Sequence, residues 1–258
     1  MVVGRVVAGP TGMIVALSVG LVFNFLNYWF SGSIVLRVYG AKILAPGEAP
    51  ELEADVRDLA DRAGLPMPKI AIIPKDAPNA FATGRNASHA VVAVTQGLLR
   101  VCNRRQVKAV LGHEMGHVRN HDMLTMTLVA GAVSAISMLA FMARWGGGRR
   151  DRNGGGLEWI LVALFAPLAA TLVQLAISRS REFGADDAGA ELSGDPGALA
   201  DALENLHTAI PHFDPLSRTG ATAHLMIANP FHGLASMFST HPAPEVRIAR
   251  LRAMAAGR

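Results

Sequence analysis

Residues 103–143 read NRRQVKAVLGHEMGHVRNHDMLTMTLVAGAVSAISMLAFMA, and two kinds of segment meet in this stretch. Its first half sets His113, Glu114 and His117 in an H-E-x-x-H spacing on a helix that starts near Asn103, where Asn103 followed by Gln106 resembles a capping arrangement. Its second half, Met123 to Ala143, has no ionisable side chain and approaches the roughly 20 residues needed to cross about 30 Å of hydrocarbon. A polar helix with metal-ligand spacing therefore runs almost directly into a bilayer-length apolar one.

Two further charge-free runs, Met13 to Phe30 (MIVALSVGLVFNFLNYWF) and Trp159 to Ile177, bring the expected spans to three. The composition agrees: 51% of residues are apolar and the mean hydropathy is +0.31. Charged residues are 17%, below the roughly 25% of ordinary globular proteins. A chain of this length has too little other material to bury three such helices in a soluble core. The first run is too long for a signal peptide, and it ends in Tyr28, Trp29 and Phe30 rather than in small residues, like an interfacial belt. Arg37 and Lys42 place its following end in the cytoplasm. The Gly-rich loop 144–158 carries four arginines, against Arg104, Arg105, Lys108, Arg119, Arg179 and Arg181 on the other flanks, a modest cytoplasmic excess. The expected organisation is an N-terminal transmembrane segment (1–40), one polar domain in two pieces (41–122 and 178–258), and a transmembrane hairpin between them (123–177).

The polar pieces predict a mainly α fold with a small β-sheet. Residues 50–63 place Leu52, Val56, Leu59 and Ala63 on one helix face and close at Gly64. Lys69–Ile73 and His89–Val94 read as strands joined by a loop through Asn79 to Ser88. Further helices begin at Asp195–Pro196 and run from Pro244 to Met254. A net charge of +4 and a pI near 9.7 suit an anionic lipid surface, and the basic residues are too scattered to argue for nucleic acid. Disorder is excluded by the high hydropathy. The single Cys102 can form no internal disulfide and reads as a buried small hydrophobe.

Residues four apart share a helix face, so both imidazoles of the motif can address one tetrahedral ion while Glu114 lies beside a bound water. Catalytic zinc takes three protein ligands and keeps one position for water, so a third ligand must arrive from elsewhere. Downstream, SRSREFGAD (178–186) sets Glu182 and Asp186 four apart on a second helix. One can ligate while the other accepts a hydrogen bond from a ligand histidine, and spacing alone does not choose between them. Both motifs lie close to the polar ends of the hairpin, which can deliver the two helices side by side. His89, starting a strand, and His121, on the same helix stripe, compete poorly; His207, His212, His224 and His232 have no motif context. Gly116 costs about 1 kcal/mol relative to alanine inside a helix, which calls for a close neighbour.

With these residues in view the chain resembles a known family. HEMGH (113–117) and REFGAD around Glu182, together with NAFATGRN (Asn79–Asn86), AHLMIANP (Ala223–Pro230) and STHPAPEVRIARL (Ser239–Leu251), are similar to the bacterial HtpX family of membrane zinc metalloproteases, relatives of the CAAX prenyl proteases. The resemblance runs from about Lys42 to the C-terminus. It implies a gluzincin-type metalloendopeptidase with one zinc ion held by His113, His117 and Glu182, Glu114 as catalytic base and Asp186 behind the ligands. It also implies that Asn79 lies near the substrate strand and that His241 and Arg247, in H-P-x-x-x-x-R, face the site. The implied substrates are membrane or misfolded proteins, cleaved for quality control and stress response by a multi-pass protein of the bacterial inner membrane whose active site faces the cytoplasm. Members usually carry two N-terminal spans where this chain has room for one, so either the start lies upstream or the N-terminus is outside the cytoplasm. The motif more often reads HELSH, a difference that spares every residue with a chemical role.

In such a mechanism His241 or Arg247 would donate to the carbonyl oxygen, and a strand at Val91–Val94 with an open edge would take an extended substrate by strand addition. The competing reading is a polytopic transporter or scaffold with a structural zinc site. That site would need a fourth protein ligand, and Cys102, eleven residues before His113, is poorly placed for it. A transporter would need polar groups within its spans, where Asn24, Asn27 and Gln174 are the main ones.

Overall fold

The computed structural model describes residues 28–30, 32–146, 156–209 and 242–257, with single positions at 11, 15, 18, 22 and 25. They fall into two compact units, residues 1–31 with 125–176 and residues 32–124 with 177–258. The fold is mainly helical with a small mixed sheet, as the sequence predicts.

In the second unit the order of elements is β1 (Lys42–Ile43), α1 (Pro50–Ala63), β2 (Lys69–Ile73), β3 (Ala80–Thr83), β4 (Val91–Thr95), α2 (Gln96–Val101) and α3 (Arg104–Arg119). After the helices α4 (Asp122–Gly146) and α5 (Gly156–Ser193) come α6 (Pro196–Ala209) and α7 (Pro244–Ala256). The strands run in the order β1-β2-β4-β3, with β2 and β4 parallel and the outer pairs antiparallel. Strand β4 is buried along its whole length, which is why it reads as an unbroken apolar run. Alternate residues face two cores. Ile70, Ala80, Val92 and Val94 join the main core with Leu59 of α1, Leu111 of α3 and Leu203 of α6, whereas Ala71, Ile73, Phe81 and Ala93 meet Val35, Leu36 and Tyr39 on the other face.

Local chemistry sets the ends. Pro50 opens α1 and Gly64 closes it with φ 66°. Asn103 and Gln106 form a reciprocal capping box at the start of α3. Cys102 ends α2 within the main core, and burial pushes its thiol up to about 11. Three expectations are corrected here. The predicted loop from Asn79 to Ser88 contains β3, a strand too short and alanine-rich to stand out. His89 belongs to a 3-10 turn, Ala87–His89, rather than to the following strand. Strand β4 has neighbours on both sides, so the edges of the sheet are β1 and β3 and not Val91–Val94.

The second and third apolar runs lie within α4 and α5, where Leu128, Phe165, Leu172 and Val173 are exposed. Among the described residues no helix is long and apolar enough to cross a membrane. The fold therefore establishes helices here, not spans. Most of Met13–Phe30, and residues 147–155 of the Gly-rich loop, lie outside the described residues.

Candidate metal centre and active site

Helix α3 carries the H-E-x-x-H residues on the side that packs against α5. A Cβ on Gly116 would stand 2.8 Å from Ala188 Cβ, and one on Gly189 would stand 2.8 Å from the backbone nitrogen of His113. Neither position has room for a side chain, so glycine is what lets the two helices approach. This is the close neighbour that Gly116 calls for. The approach brings His113 and His117 of α3 against Glu182 of α5.

His113 Nε2 and His117 Nε2 are 3.2 Å apart, and carboxylate oxygens of Glu182 lie 3.7 Å from each. These separations are close to the roughly 3.3 Å edge of a tetrahedron built on bonds of about 2.0–2.1 Å, the zinc–nitrogen length. The other ring nitrogens face carboxylates. His113 Nδ1 is 2.9 Å from Asp186 Oδ1, and His117 Nδ1 is 2.6 Å from Asp122 Oδ2. His117 Nδ1 carries the proton of its hydrogen bond to Asp122, while His113 Nδ1 stands beside Asp186 without hydrogen-bond alignment; a proton on each Nδ1 leaves each Nε2 a lone pair. Two lone pairs and a carboxylate facing one point form a donor set suited to a divalent cation. Among the described residues His113, His117 and Glu182 form the one cluster of this kind.

Behind the ligands the charges are paired. Arg247 of α7 donates from Nε and Nη2 to the two oxygens of Asp186 at 2.8 and 2.7 Å, and its Nη1 lies 3.4 Å from Glu182 Oε2. Arg247 is 2% exposed and Asp186 1%. Burial raises the Asp186 carboxyl, but the guanidinium of Arg247 and the contact with His113 outweigh it and hold the group at about 2. At His117 burial depresses protonation, yet the hydrogen bond to Asp122 and the charges of Glu182 and Glu114 leave it raised above an ordinary imidazole. In the metal-free protein the Asp186 contribution to stability is complete above about pH 4, the usual carboxyl value, and is lost as pH falls through about 2. Unfolding curves of wild type and Asp186→Asn should therefore differ most above pH 4 and converge below pH 2; a constant gap would refute this.

Glu114 is buried, and its Oε2 accepts from the backbone N–H of Ala82 at 2.8 Å. Strand β3 thus sits beside the carboxylate, with its outer edge on the same side. Asn79, just before β3, is buried; its backbone N–H donates to Thr95 Oγ1 and its carbonyl accepts from Thr95 N, both at 2.9 Å.

The fold thus brings His113, Glu114, His117, Glu182, Asp186 and Arg247 into one cluster, buried except for a half-buried His117. Arg247, expected as a donor to the substrate carbonyl, directs its guanidinium at the two carboxylates. His241 lies outside the described residues. His121 is not on the α3 stripe at all, because the helix has ended and His121 turns the chain with φ 55°. Three partners escaped the sequence reading: the Ala82 N–H, Asp122 and Arg181, whose Nε is 2.9 Å from Asp122 Oδ1. Arg181 reads only as a basic flank of an apolar run and Asp122 carries no signal of its own, although each lies a few residues from a motif histidine or carboxylate. Cys102 has no place in the cluster.

A helix-borne H-E-x-x-H pair with a glutamate of a second helix beside it is a donor pattern of metallopeptidases. Residues 46–255 match Peptidase family M48. The chain belongs to this family, and within it to the HtpX proteases. It is 52% identical over 263 residues to a "Protease HtpX homolog" of Thermococcus kodakarensis, covering 99% of this chain and 91% of that protein. It is 49% identical over 263 residues to one of Burkholderia ambifaria, covering 99% and 92%. The crystal structure of S. mikatae Ste24p has the same fold, with a TM-score of 0.60 and 19% identity over 96% of this chain; the chain spans 60% of that protein's length.

Proposed function

We propose that this chain is a zinc-dependent endopeptidase, held in a membrane by its apolar helices, that hydrolyses peptide bonds of membrane or misfolded proteins. The observation that carries the reading is the convergence of two Nε2 lone pairs and the Glu182 carboxylate at tetrahedral separations. His113, His117 and Glu182 would hold one zinc ion per chain, with Asp186 behind His113. Zinc, when bound there, supplies a Lewis acid that lowers the pKa of a water toward about 7 and polarises a carbonyl.

The remaining steps fall to the chain's own groups. Glu114 takes the proton of the attacking water and passes it to the departing amine nitrogen, so that water adds across the peptide C–N bond. The Ala82 N–H engages Oε2, which holds the carboxylate in one orientation. An extended substrate adds to the open edge of β3, next to Glu114, with Asn79 at the start of that strand. Recognition through backbone groups gives low sequence specificity, which suits substrates defined by being unfolded. Arg247 keeps Asp186 ionised and stands beside Glu182; His241 is the candidate donor to the carbonyl oxygen.

The charge-free lengths of Met13–Phe30, Met123–Ala143 and Trp159–Ile177 support three spans, and the flanking basic residues support a cytoplasmic active site in a bacterial inner membrane. Purified full-length protein should contain one zinc per chain by elemental analysis and digest casein. A chelator should abolish digestion and added zinc should restore it. Hydrolysis that persists with the metal removed would rule the reading out.

A further inference from the structure

We propose that Asp122 and Arg181 are positioning residues of the metal centre, acting through His117 as Asp186 and Arg247 act through His113. The inference rests on the zinc reading above. Two parallel chains of contacts meet at the ligand point. In one, Arg247 grips Asp186, which faces His113 Nδ1. In the other, Arg181 Nε stands 2.9 Å from Asp122 Oδ1 while Asp122 Oδ2 lies 2.6 Å from His117 Nδ1. Asp122 is the first residue of α4, and the plain explanation would be an acidic residue complementing a helix N-terminus. That role needs only an exposed carboxylate, whereas Asp122 is 4% exposed. A carboxylate buried to that degree needs partners, and each of its oxygens has one.

The backbone points the same way. His121 takes a left-handed conformation, φ 55°, that non-glycine residues rarely adopt, and it turns the chain from the end of α3 into Asp122. This turn brings the Asp122 carboxylate back beneath the imidazole of His117, five positions earlier. Arg181, one residue before Glu182, completes the arrangement, so one turn of α5 supplies both a ligand carboxylate and the cation that orients the partner of a ligand imidazole. The hydrogen bond from Nδ1 to Asp122 fixes which nitrogen carries the proton, aims Nε2 and raises the ring's donor strength.

The test uses the full-length protein in detergent, with zinc affinity measured by chelator competition and the visible spectrum of the cobalt(II)-substituted protein as the second readout. Asp122→Ala should weaken zinc binding about 10- to 100-fold and shift the cobalt bands. Asp122→Asn retains a neutral acceptor for Nδ1–H and should rescue most of this, leaving a loss of roughly 3- to 10-fold, because neutral hydrogen bonds are about half as strong as charged ones. Arg181→Gln should fall in the same range. Arg105→Ala, which breaks an exposed ion pair with Asp195, should bind zinc like wild type. A folded Asp122→Ala protein with wild-type affinity and cobalt spectrum would overturn the proposal. Should that variant not fold, wild-type values for both Asp122→Asn and Arg181→Gln would overturn it equally. Failure of the wild type to hold zinc would instead refute the metal-centre reading on which this rests.

Discussion

Glu114→Gln should retain one zinc per chain and lose about 10²–10⁴-fold in kcat, the range attributed to a positioned general base. That loss corresponds to roughly 3–5 kcal/mol of transition-state stabilisation. Glutamine has the shape of glutamate and its carbonyl can still accept from the Ala82 N–H, the bond that holds the native side chain at 2.8 Å. The donor atoms of His113, His117 and Glu182 are untouched, so the metal is expected to stay. What the amide cannot do is take a proton from water. The two readouts must therefore separate: zinc content equal to wild type, hydrolysis nearly gone. A variant that keeps its zinc and turns over within tenfold of wild type would remove Glu114 from the base role. One that loses zinc together with activity would mean that Glu114 helps to hold the ion.

Removing the third ligand should have the opposite signature. Glu182→Ala leaves two imidazoles on one helix, and zinc binding should weaken by more than the 10- to 100-fold expected from losing a partner behind a ligand. Activity should disappear in proportion to zinc and return partly at high zinc concentration. The substitution also takes a negative charge from beside Arg247, which keeps its two hydrogen bonds to Asp186, so the fold should survive. Glu191→Ala is the control, because that carboxylate lies about two and a half turns along the same helix and pairs with Arg119 at the surface. Unchanged metal affinity in Glu182→Ala would show that the Glu182 carboxylate is not a ligand.

Much of the centre is visible in the sequence because its information is local. His113 and His117 are one helical turn apart, Glu182 and Asp186 likewise, and a helix converts such spacing directly into a shared face. The capping box at Asn103, the Pro50 start and the Gly64 stop are equally local, and each element they bound was expected within a residue or two. Strand β3 was not, since Ala80–Thr83 has no periodicity to separate it from a loop and becomes a strand only by pairing with β4. The position of the open edge followed the same rule: strand order is a long-range property, so the sequence pointed to Val91–Val94 where the sheet exposes Ala80–Thr83.

By itself, then, the chain determined the helical character of the polar domain, the ligand motifs and the apolar runs, all of which are properties of neighbours in sequence. Tertiary structure alone decided which groups stand behind the ligands. Arg247 reaches Asp186 across sixty-one positions, and Arg181 of α5 reaches Asp122 at the start of α4. No spacing rule encodes such contacts. They exist because buried carboxylates need cationic partners, and only the packing of α3 on α5, at Gly116 and Gly189, brings those partners within reach.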